Sequence, residues 1–132
     1  MPAITGVHHL SLTVSDLPRS VDWYTEVLGF AVHSEVEEAT FRRTRLRHPA
    51  SGVVVTLTRH DGGAAEAFDE RRTGLDHVAF QVATLDEVDA VKRRFEELGV
   101  VHSEVRRGSG DVAIVTVRDP DNIQLEVMAV SG

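Results

Sequence analysis

Three side chains of metal-binding type stand at repeat-related places in this chain: His9, His77 and Glu126. His9 opens the run His9-Leu10-Ser11-Leu12-Thr13-Val14, and His77 opens His77-Val78-Ala79-Phe80-Gln81-Val82. The two histidines are 68 residues apart in a chain of 132, so they fall at matching points of two copies of one unit. Two imidazoles and one carboxylate suit Zn, Fe(II), Mn, Ni or Co, and spacing does not choose among them. With open coordination positions, the same donor set is the one non-haem Fe(II) oxygenases use. Taken singly, each of these residues is explained by a solvated strand face. Their equivalence within the repeat is what argues for a shared site.

The elements that position them follow from periodicity. Residues 8–14 alternate, with Leu10, Leu12 and Val14 on one side and His9, Ser11 and Thr13 on the other. Ser15 and Asp16 offer capping oxygens, and Pro18 suits a first helical turn. Leu17, Val21, Tyr24 and Leu28 then recur at helical spacing up to Gly29, which tolerates positive φ. Strands are expected at 30–36, 41–46 and 53–58, the last almost wholly β-branched. The polar segment 61–74 reads as a linker, with 64–68 able to form a short helical turn. The order then repeats. A strand at 76–82 leads to the capping-box pattern Thr84-x-x-Glu87 and to a stripe of Leu85, Val88, Val91, Phe95 and Leu98 closed by Gly99. Further strands are expected at 101–105, 112–117 and 123–130.

The copies stay in step. Gly29 and Gly99 are 70 residues apart, so the second helical region is two residues longer, and Glu126 then corresponds to Thr56. The chain is therefore expected to be α+β, with two βαβββ modules forming a cupped mixed sheet. It would be a single domain, with module one at about residues 4–60 and module two at about 75–130. The polar sides of four strands carry His9, Ser11 and Thr13; Thr56 and Thr58; His77 and Gln81; and Gln124 and Glu126. If these sides line a concavity, His9, His77 and Glu126 would hold the metal. Ser11, Thr13, Thr56 and Gln81 would contact substrate, and Glu126 could double as a base.

Composition narrows the classes. Fourteen basic against twenty-one acidic residues give a net charge of −7, which argues against a nucleic-acid partner. The basic cluster Arg42, Arg43, Arg45 and Arg47 has two readings: a solvated strand face, or a contact for a ligand bearing phosphate or carboxylate. With no cysteine there are no disulfides, thiolate nucleophiles or Cys-based metal sites. There is no membrane-length apolar run and no signal-like N-terminus, so a soluble cytoplasmic protein is expected. His8 is expected to point to the apolar side. His33, His48 and His102 read as surface histidines, and His60, just beyond the fourth strand, as a surface histidine or one reaching a pocket rim.

The segments HHLSLTVSDLPRSVDWYTEVLGF (8–30), GLDHVAFQV (74–82) and DPDNIQLEV (119–127), with the duplicated βαβββ order, resemble the vicinal oxygen chelate superfamily. That group includes glyoxalase I, methylmalonyl-CoA epimerase, extradiol dioxygenases, and the bleomycin- and fosfomycin-resistance proteins. The resemblance implies paired modules around a divalent metal, and commonly a homodimer. Its first-strand ligand falls on His9, its second-module histidine on His77 and its final glutamate on Glu126. Glyoxalase I carries a fourth ligand, a glutamate, where this chain has Thr56. The departure weakens the isomerase assignment and leaves a three-ligand site resembling the dioxygenase triad. A metal-dependent dioxygenase or lyase acting on a small oxygen-bearing substrate is the favoured expectation. The alternatives are a non-catalytic antibiotic-binding protein of the bleomycin-resistance type, and a member with neither metal nor turnover.

Overall fold

The structure is a computed structural model and describes residues 1–63 and 65–132. The chain divides into two compact units, Met1–Ala65 and Glu66–Gly132. Each unit is a βαβββ module with its own four-stranded mixed sheet.

In the first unit the elements are β1 (Leu10–Thr13), α1 (Leu17–Leu28), β2 (Ala31–Glu37), β3 (Phe41–Arg47) and β4 (Val54–His60). Asp16 caps α1, its carboxylate accepting from the backbone N–H of Arg19, and Pro18 lies in the first turn. Gly29 ends the helix at φ 76°, where a Cβ would be strained. The sheet order is β1-β4-β3-β2, with β1 parallel to β4 and the other pairs antiparallel. The helix packs on one sheet face. Leu12, Val14, Leu46, Val55 and Leu57 meet Tyr24, Val27 and Phe30 there, all nearly removed from water.

The second unit repeats this with β5 (Val78–Gln81), α2 (Leu85–Glu97), β6 (Arg106–Arg107), β7 (Val112–Arg118) and β8 (Gln124–Val130). The sheet order is β5-β8-β7-β6, with β5 parallel to β8. Thr84 and Glu87 form the capping box in both directions. Val88 and Phe95 of α2 are fully buried against the sheet, whose covered face carries Ala113, Val115, Val117, Leu125, Val127 and Ala129.

Three expectations about the elements needed correction. Both histidine-led strands start late. The parallel ladders open at Leu10 opposite Val55 and at Val78 opposite Leu125, so His9 and His77 sit just ahead of their strands. The strand expected at 101–105 is reduced to a bridge at His102 and the two-residue β6. Here the Ser103 hydroxyl accepts the Thr116 backbone N–H, replacing a ladder bond with a side-chain bond. The possible helical turn at 64–68 begins on Ala64, which lies outside the described residues, and 65–69 are not helical. Instead the segment is tied into the second unit: Phe68 N–H donates to Asp121, and the Asn122 side chain donates to the Phe68 carbonyl.

Candidate functional site

The face of the second sheet turned away from α2 holds two of the expected metal ligands together. On β8, Leu125 and Val127 turn to the helix, so Glu126 turns the other way; its side chain is 13% exposed. His77, just ahead of β5, reaches the same face and brings Nε2 to 3.6 Å from a Glu126 carboxylate oxygen. The other ring nitrogen, Nδ1, is 2.6 Å from the Asp76 carboxylate. That bond fixes the ring orientation and leaves Nε2 as the outward-facing nitrogen, the arrangement in which a carboxylate steadies a metal-binding imidazole. The Asp76 hydrogen bond raises the His77 pKa above 6.5. The negative charges of Glu126 and Asp76 act in the same direction, and partial burial opposes them.

This pair belongs to a longer polar network. Glu70 accepts two hydrogen bonds from the Arg118 guanidinium, at 2.7 and 3.0 Å. Arg118 also donates to Gln124, and Gln124 donates to Asp76 at 3.4 Å. At the far end, Arg106 reaches across from β6 to Glu126 and Thr116, at 3.4 and 3.5 Å. Glu126 thus lies between an imidazole and a guanidinium. Gln81 lies exposed on the same face, in register with Met128.

The first unit places the remaining expected residues. His9 is exposed, and its Nδ1 is 2.9 Å from the Nδ1 of His8. The rings meet edge-on at 85°. His8 is exposed too, not directed to the apolar side as expected, because it precedes the strand whose alternation would have turned it inward. Ser11, Thr13, Thr56 and Thr58 share the face turned away from α1, and Ser11 and Thr58 join through their hydroxyls at 3.3 Å. Thr56 is 2% exposed, and its hydroxyl has no hydrogen-bond partner among the described residues. Within either unit, the described residues contain no group of three or more His, Asp or Glu side chains able to hold a metal ion alone. In the second unit His77 and Glu126 form a pair of donors of types that suit a divalent cation.

A model of the Glyoxalase/Bleomycin resistance protein/Dioxygenase superfamily matches residues 6–127. The chain belongs to this superfamily. A solved glyoxylase/bleomycin resistance protein/dioxygenase domain from Frankia sp. EAN1pec is 35% identical, with a TM-score of 0.90 over 98% of this chain and 100% of that one. A probable lactoylglutathione lyase of Vibrio cholerae serotype O1 is 28% identical over 131 residues, covering 91% of this chain and 87% of its own length. The glutathione transferase FosA of Serratia marcescens is likewise 28% identical over 131 residues, covering 94% and 80%.

Sequence reasoning missed Asp76 as the partner of His77, Arg106 as the partner of Glu126, and Arg118 with Glu70 as the network that continues from Asp76 through Gln124. Asp76 had a signal, since it directly precedes His77. Arg106 had none, because its approach to Glu126 depends on how β6 docks on β7.

Proposed function

We propose that this chain is a divalent-metal-dependent enzyme acting on a small oxygen-bearing substrate, with dioxygenase-like or lyase-like chemistry. His9, His77 and Glu126 would hold the ion, whose identity among Fe, Mn, Zn, Ni and Co stays open. The observation that carries the reading is the presentation of His77 Nε2 to Glu126 with Asp76 behind the ring. A solvated strand face has no need of that second carboxylate, whereas a metal-binding imidazole uses one. When bound, the ion would polarise adjacent substrate oxygens and stabilise developing negative charge. Glu126 would double as the proton acceptor, with the Arg106 guanidinium 3.4 Å from its carboxylate. Ser11, Thr13, Thr56 and Gln81 contact substrate. The 132 residues act as one domain, in a cytoplasmic homodimer.

A second reading rests on Arg106. Its guanidinium already neutralises Glu126, so the carboxylate has a partner without metal, as a non-catalytic ligand-binding protein would require.

The test is metal content per chain of untagged protein, alone and as His77→Ala and Glu126→Ala. About one ion per chain in the parent and loss in both variants is the expected result. Sub-stoichiometric metal that does not rise on adding Fe(II), Mn, Ni, Co or Zn would select the non-catalytic reading. Oxygen uptake on catechols marks the dioxygenase branch. The lactoylglutathione lyase and the glutathione transferase named above both involve glutathione, so the glutathione hemithioacetal of methylglyoxal is the second substrate to try.

A further inference from the structure

The face of the first sheet turned away from α1 carries a feature that metal binding does not use. Phe41, Arg43, Arg45 and Arg47 alternate along β3 onto that face, while Thr44 and Leu46 turn to the helix. Two ladder rows cross it. One aligns Ser11, Thr56, Arg45 and Ser34; the next aligns Thr13, Thr58, Arg43 and Val36. Among the described residues, none of Arg43, Arg45 and Arg47 is ion-paired. The carboxylate on Arg42 belongs to Glu37, at 3.5 Å on the opposite face.

Arg43 is held in place. Its Nε donates to the Thr58 hydroxyl at 2.9 Å, and its guanidinium carbon lies 4.6 Å from the centroid of the Phe41 ring. Anchoring through Nε leaves its terminal N–H groups uncommitted. Arg45, the next residue on that face, has no hydrogen-bond partner among the described residues. The two hydroxyls flanking it in register, Thr56 Oγ1 and Ser34 Oγ, are both buried at the atom and unpartnered. Buried hydroxyls are normally satisfied, so two orphans on either side of an unpaired guanidinium call for an acceptor.

Uncommitted guanidinium forks and hydroxyl donors, with no carboxylate among the described strand residues of that face, match an oxyanion with several lone pairs. We infer that Arg45, with Arg43 and the Thr56 hydroxyl, is a receiving site for the oxyanion group of a small ligand, a phosphoryl or carboxylate group. As a statement about substrate class this rests on the enzyme reading above; as a binding site it does not need the metal.

The experiment is a calorimetric titration of the metal-free full chain with inorganic phosphate, methylphosphonate and acetate. Arg45→Met, Thr56→Val and, as a surface-charge control, Arg42→Met are titrated alongside, with thermal melts confirming that each is folded. Saturable binding of a phosphoryl or carboxylate probe is expected, and the tighter class identifies the group. Arg45→Met should weaken it by about tenfold or more, and Thr56→Val by a few fold, since bonds to a charged acceptor are strong. Arg42→Met should change it less than about twofold. Absence of saturable binding of every probe, or equal losses in the Arg42 and Arg45 variants, would overturn the inference. Mn(II) uptake measured on the same samples separates the two proposals. Oxyanion binding without metal uptake sinks the metal reading alone, and metal uptake without oxyanion binding sinks this one alone.

Discussion

The His77 ring joins two carboxylates, with Nδ1 2.6 Å from Asp76 and Nε2 3.6 Å from Glu126. One carboxylate is adjacent in sequence and the other comes from the last strand, so the ring is oriented by one and directed at the other.

Asp76→Asn removes the charge behind the ring while keeping a polar side chain. It should lower divalent-metal affinity by about 10–100-fold, the usual cost of losing the partner that orients a ligand. In metal-free protein it should also lower the His77 pKa, because the Asp76 hydrogen bond is the largest cause of its elevation. Competition with a chelating dye and proton NMR of the ring measure the two effects. An unchanged affinity would remove Asp76 from the site.

Arg106→Met frees Glu126 from a competing cation. Metal affinity should rise severalfold, as expected when a like charge leaves the neighbourhood of a bound cation. The same dye competition reads it, and a fall would mean that Arg106 chiefly holds the Glu126 carboxylate in place.

Glu70 supplies a pH dependence. Its hydrogen bonds from Arg118 depress its pKa from 4.5 to about 2. A depressed carboxylate contributes stability that is complete above its ordinary pKa and is lost as pH falls through the folded value. The Tm deficit of Glu70→Gln should therefore be full above pH 4.5 and shrink towards pH 2. A deficit independent of pH over that window would assign the loss to packing.

Phe95 is wholly buried between α2 and its sheet. Phe95→Ala should cost about 3–5 kcal/mol through lost transfer energy and a residual cavity. Urea unfolding measures it, and a loss below about 1 kcal/mol would show that the site collapses to fill the space.

Much of this protein was determined by the sequence alone, because the signals involved are local. Asp16, Pro18 and Gly29 bound α1 where their cap and turn chemistry requires, and Thr84 with Glu87 starts α2 for the same reason. Period-two alternation assigned Thr56 and Glu126 to one side of their strands and Val55 and Leu125 to the other, since a side chain's face depends only on its parity along the strand. The duplication marked His77 and Glu126 as candidates for one site, and the structure brings them to 3.6 Å. Tertiary structure decided what lies across from each residue. That depends on strand order, ladder start and register, which pairings between distant segments set and no local pattern encodes. Only the ladders show that His77 falls just ahead of β5 and that Arg106 reaches Glu126. Only the register, restored after the irregularity between Val32 and Ser34, places Arg45 between two unpartnered hydroxyls.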